Sequence, residues 1–176
     1  MNGVKEMKTI LAEERFDIIS GENKAFIIEF DNEISKLGYS FGDSIGSGYC
    51  WGKYMIIYSK VGVKSKQVAA RIYIRENSIV LRLFLNKIDK HREYVENAKP
   101  FIKEVFTGEH GKCKHCHNDK GGICKFRKTY TLENNYIEKC NGVTFEFWEP
   151  NLDKLPDYIS LLKEFYPTRK TKSAQC

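Results

Sequence analysis

Four cysteines in the second half of the chain, Cys113, Cys116, Cys124 and Cys140, follow the order C-x2-C-x7-C-x15-C. A Cys-x2-Cys turn aims two sulfurs at one point, and two thiolates from further along complete a tetrahedral zinc site. Gly121 and Gly122 before Cys124, and Asn141-Gly142 after Cys140, supply the tight turns such loops need. His115 and His117 fall within the first loop, so a set in which His117 replaces a cysteine is the rival ligand census. The closely spaced cysteine triplet of ferredoxins is absent, which favours zinc over an iron–sulfur cluster. A closed four-thiolate site keeps no open position for water or substrate, so the expected zinc is structural.

The stretch 107–126 holds few apolar side chains and many Lys, Gly, His and Asn, and it needs a cross-link to order itself. Residues 107–142 are therefore expected to be a metal-stapled segment within one domain, 1–176, that ends in a flexible tail, 168–176. The chain opens Met1-Asn2-Gly3-Val4-Lys5-Glu6, with charges at once and no signal-like apolar run, so a cytoplasmic, reducing location with free thiols is expected. Cys50 reads as a small buried residue and Cys176 as part of the tail.

A second set of residues concerns charge. In the strand expected over Gln67–Arg75 the apolar positions are Val68, Ala70, Ile72 and Ile74, and over Ser78–Asn86 they are Ile79, Leu81, Leu83 and Leu85. A turn centred on Glu76-Asn77 pairs Ile74 with Ile79 and Ile72 with Leu81 on the core face. The other face then sets Tyr73 opposite Val80, Arg71 opposite Arg82 and Ala69 opposite Phe84. Like charges across a ladder repel, so the arginine pair asks for a counter-charge from the protein or a ligand. Over Val143–Trp148 the core set is Val143, Phe145 and Phe147, which leaves Thr144, Glu146 and Trp148 for the arginine face. Glu146 is the internal candidate, giving a structural salt bridge. The alternative is an anionic ligand, oriented by Arg71 and Arg82 in a cleft lined by Tyr49, Trp51, Tyr73, Phe84 and Trp148. Core packing is the ordinary role of such rings.

The run Gly46–Gly52 has glycines at 46, 48 and 52 but no following helix that starts Lys-Ser or Lys-Thr, so it fails the nucleotide-loop pattern. It reads as a bend leading into a strand, where missing side chains allow close approach.

The elements that must position these groups follow an α+β order. Phe26, Ile27, Phe30, Ile34 and Leu37 recur at helical spacing over Asn23–Leu37, and Gly38 closes that helix. Strands are expected over Tyr49–Ser59, Gln67–Arg75 and Ser78–Asn86. A helix capped by Asp89 and bent at Pro100 follows over Lys90–Phe106. Short strands Arg127–Leu132, Tyr136–Cys140 and Val143–Trp148 precede a last helix, Asp153–Phe165. The expected fold is an antiparallel sheet with helices mainly on one face, plus the metal-stapled loop. The ends, Met1–Lys8 and Thr168–Cys176, look frayed, and no internal repeat is present.

With 176 residues, 41% hydrophobic and 13% aromatic, the chain can bury a full core. No apolar run approaches the roughly 20 residues of a membrane span. The charge of +6 comes from 29 basic and 23 acidic residues, a mixed surface rather than a polycation. Lys112, Lys114, Lys120, Lys125, Arg127 and Lys128 form a basic surface around the cysteine loop. It suits nucleic-acid or protein binding, or simply offsets the thiolate charge.

The pattern Gly-Tyr-Cys-Trp-Gly-Lys-Tyr, Gly48–Tyr54, followed by two alternating strands, resembles the small bacterial α+β domains of unknown function of the YdhG-like group. The resemblance covers Gly48–Asn86 and the following helix, implies an antiparallel sheet with helices on one side, and transfers no active residue. Together these readings anticipate a binding protein for a small anionic or aromatic molecule with a structural zinc. The alternatives are a nucleic-acid or protein interaction module and an enzyme of unknown reaction. No histidine among His91, His110, His115 and His117 has a recognisable nucleophile partner.

Overall fold

The structure, a computed structural model, describes residues 5–108, 127–140 and 144–168. Cys113, Cys116, Cys124 and Cys176, the histidines at 110, 115 and 117, and most of the basic loop lie outside them.

Helix α1 (Met7–Leu11) buries Met7, Ile10 and Leu11. The chain is thus anchored from Met7, where the sequence suggested fraying to Lys8. Helix α2 (Gly21–Lys36) starts two residues earlier than its apolar stripe suggests, because the Ser20 hydroxyl accepts from the Asn23 amide at 3.1 Å and caps it. Its buried stripe is Phe26, Ile27, Phe30 and Ile34, and Gly38 ends it at φ 84°. Lys60 Nζ donates to the Leu37 carbonyl at 3.0 Å and lies over the Tyr39 ring, tying the helix end to the sheet.

The main sheet runs β1 (Tyr39–Ser40), β3 (Tyr54–Lys60), β4 (Val68–Arg75), β5 (Ser78–Phe84) and β8 (Thr144–Trp148), with β2 (Gly46–Ser47) also on β3. Every pairing is antiparallel. The β4–β5 register carries Ile74 against Ile79, Ile72 against Leu81, Tyr73 against Val80 and Arg71 against Arg82, as the alternation required. Its turn, with Asn77 at φ 58°, docks by the Asn77 amide on the Ile18 carbonyl at 2.8 Å.

The strand expected from Tyr49 begins only at Tyr54, because Tyr49–Trp51 curl into a 3-10 turn. Close backbone approach makes this turn possible: a Cβ on Gly48 would lie 2.3 Å from the Gly52 carbonyl oxygen, and one on Gly52 would lie 2.8 Å from that of Ile74. The curl leaves Cys50 exposed, correcting its reading as a buried residue.

Between β5 and β8 the expected long helix is two, α3 (Arg92–Glu96) and α4 (Pro100–Thr107). Pro100 does more than bend the helix: it opens α4 at the position where its missing N–H costs nothing. Asp89 makes no cap; its carboxylate accepts from Thr131 N and Arg92 instead. Strands β6 (Lys128–Leu132) and β7 (Asn135–Lys139) form a separate hairpin turned at Glu133 and Asn134, both at positive φ.

Helix α5 (Leu155–Phe165) buries Leu155, Tyr158, Ile159, Leu161, Leu162 and Phe165. One face of the sheet meets these helices: Tyr58 packs on Phe30, Phe147 on Tyr158 and Phe145 on Phe106.

Candidate functional site

Strand alternation dictates what the other face carries. Opposite the core set stand Met55 and Ile57 of β3, Arg71 and Tyr73 of β4, Val80, Arg82 and Phe84 of β5, and Thr144, Glu146 and Trp148 of β8. One transverse row reads Ile57–Arg71–Arg82–Glu146, each residue directly across from the next.

Arg82 is the centre of this face and only 5% exposed. Its Cζ lies 3.9 Å from the Trp51 ring centroid and 5.1 Å from that of Tyr73, so an indole lid covers the guanidinium. Trp51 reaches that place because of the 3-10 turn that the glycines allow. Arg82 Nη1 donates to the Tyr73 hydroxyl at 3.2 Å. Glu146 Oε1 sits 3.0 Å from Arg82 Nε, a charge contact in which that N–H is not aligned for a hydrogen bond. Arg71, half-buried, reaches the same Tyr73 hydroxyl from Nη1 at 3.4 Å, and its Cζ lies 5.2 Å from the Phe84 ring centroid.

Two cations thus converge on one phenol, and Arg82 also meets one carboxylate. After these contacts, Arg82 Nη2 and Arg71 Nε remain buried without a hydrogen-bond partner. Buried guanidinium N–H groups left unpaired are costly, and they are the kind of donor that an anion satisfies.

The aromatic residues divide. Trp51 stands 5.7 Å from Tyr73 and 6.3 Å from Trp148, ring centroid to centroid. Trp148, 55% exposed, forms the rim with Arg75 over its ring at 5.2 Å. Tyr49 points away into solvent at 81% exposure, so the cleft expected of it does not include it.

Lys139 was not anticipated. It ends β7, is 2% exposed, and holds Nζ 4.7 Å from the Phe145 ring centroid. Burial pushes its pKa down; Glu146 opposes that shift, Arg82 adds to it and Cys140 opposes it. The only sequence signal was its place in a strand beside a proposed ligand, which does not distinguish a buried lysine from a surface one.

Of the four cysteines only Cys140 is described, half-buried directly after Lys139. Among the described residues no group of three or more His, Cys, Asp or Glu side chains could hold a metal ion. Arg127, just before β6 of the hairpin that ends at Lys139, donates to Glu138 at 3.2 Å.

No family model, no curated protein and no solved structure matches the chain. Among the described residues, no helix is long and apolar enough to cross a membrane.

Proposed function

We propose that the protein binds a small anionic molecule with aromatic or apolar character on the arginine face of its sheet. Arg71 and Arg82 orient the negative group, Tyr73 holds the two guanidiniums together, and Trp51 and Trp148 contact the ligand's apolar part. Glu146 fixes Arg82 while leaving donors over. The observation that carries this reading is the pair of buried, unpartnered N–H groups, Arg82 Nη2 and Arg71 Nε, on one sheet face. A purely structural salt bridge explains Arg82 Nε and leaves those two donors without a purpose.

The test is a thermal-shift and calorimetric titration of carboxylates, phosphates and aromatic anions against the whole protein and Arg71→Gln. Saturable binding by the parent, weakened about tenfold or more in Arg71→Gln, supports the reading. Unchanged melting across the panel removes it.

A structural zinc on Cys113, Cys116, Cys124 and Cys140 completes the proposal, fastening 107–142 to the end of β7. It rests on the spacing of the cysteines and on Cys140 as a free thiol there. Elemental analysis of native protein is expected to give one zinc per chain, and a metal-free, equally stable protein would refute it.

A further inference from the structure

Beside the arginines, the same sheet face opens into a cleft of about 560 Å³, lined by Met55, Ile57, Val63, Lys64 and Lys66 among others. Its position relative to the charged cluster follows from register. Met55 is directly across from Tyr73, and Ile57 directly across from Arg71, which in turn faces Arg82. All five side chains therefore leave the sheet on one side. With neighbouring strands roughly 5 Å apart, Ile57 lies about one strand from Arg71 and about two from Arg82.

The geometry points to one continuous trough: an anion seat at Arg71 and Arg82, and beside it an apolar-floored cleft that takes the body of the same ligand. We infer an amphipathic anion, an acyl or aryl chain bearing a terminal carboxylate or phosphate. This deepens the binding function proposed above and rests on it.

Three observations favour that class. Met55 and Ile57, the strand residues of the floor that neighbour the cluster, are aliphatic, and a bare inorganic anion has no use for them. The volume suits a small molecule and falls within the usual range of ligand pockets. Lys64 and Lys66, in the β3–β4 connection, make the mouth positive, which draws anions and disfavours a cationic amphiphile.

The experiment is calorimetry on the whole protein with acetate, hexanoate, octanoate and octanol, and in parallel with inorganic phosphate and phenyl phosphate. The parent, Ile57→Ser, Val63→Ser and Arg71→Gln are compared, with Val63 in a connection where a polar residue does not disturb the sheet. Octanoate is expected to bind about tenfold more tightly than hexanoate, from two further buried methylenes. Ile57→Ser and Val63→Ser should erase most of that gain while leaving the shortest anion unaffected, and Arg71→Gln should weaken every anion. Preference for phenyl phosphate over octanoate would assign the head group as phosphate, and the reverse as carboxylate. If acetate or phosphate binds and lengthening brings nothing, the trough is wrong while the anion seat stands. If octanol matches octanoate and Arg71→Gln is silent, the head-group assignment falls. If no anion binds, both fall together.

Discussion

The two faces of the main sheet are built from the same strands, residue by residue in alternation, yet they obey different rules. The helix-covered face is aliphatic and aromatic, with Ile56, Ile72, Ile74, Leu81 and Leu83 all fully buried. The opposite face buries Arg82 almost as deeply but surrounds it with a carboxylate, a phenol, an indole and a second guanidinium. Burying charge gains little stability by itself, since desolvation consumes most of the attraction. That Arg82 is buried among polar partners here, where isoleucine and leucine fill the matching positions of the other face, supports the proposal of an anion-binding face.

The contrast breaks first where apolar packing is removed. Phe30 is fully buried against Phe26 and Tyr58, so Phe30→Ala should cost about 3–5 kcal/mol in denaturant unfolding. Ligand affinity, measured where the variant is still folded, should change little.

Breaking the polar face should act in the opposite sense on the two readouts. Glu146→Gln leaves Arg82 buried beside Arg71 without its counter-charge. Because Glu146 is partly open to water, the cost should be about 2–3 kcal/mol, below the range for fully enclosed pairs. Removing both partners, Arg82→Met with Glu146→Leu, should restore stability to within about 1 kcal/mol of the parent, or exceed it, and abolish anion binding. If the double variant stays as unstable as Glu146→Gln, the pair is structural and the contrast between the faces loses its meaning. Arg71→Gln should be milder, moving unfolding by roughly 0.5 kcal/mol or less while lowering anion affinity about tenfold.

The arginine face was legible because a sheet's side-chain period is two. Once the turn was placed at Glu76-Asn77, the opposition of Arg71 and Arg82 followed without knowledge of the rest, and alternation put Glu146 on their face; that its partner is Arg82 comes from the β5–β8 register. What escaped was set by backbone closeness and tertiary contact. The curl at Tyr49–Trp51 depends on Gly52 lying flush against the Ile74 carbonyl, a contact between segments 22 residues apart in numbering. That curl decides that Trp51 covers Arg82 while Cys50 and Tyr49 turn outward. Likewise, α1 looked frayed because Met7 and Ile10 are too few to form a pattern, and only their burial in the core reveals the anchor. The break at Lys99-Pro100 was visible as a proline, but whether it bends a helix or starts a new one depends on what α3 and α4 pack against.

Asp31 is a charged group of the helix-covered side, and it provides the finest test of the contrast. Asp31 of α2 is partly buried near Tyr58, and its Oδ1 has no aligned hydrogen-bond partner. Burial pushes its carboxyl above the usual 3.8; the Tyr58 hydroxyl partly offsets that, and Asp43 adds to it. A carboxyl raised in the folded state is more easily ionised in the unfolded one, so its charge destabilises the fold above the folded-state pKa. The penalty fades as pH falls through that value and is gone below 3.8, where both states are protonated. Asp31→Asn should therefore melt higher than the parent at neutral pH, with the gap closing on acidification, and its anion affinity should be unchanged. A gap that persists at low pH would show that the carboxylate's charge is not what the helix side resists, and that the two faces differ less in their tolerance of charge than their composition suggests.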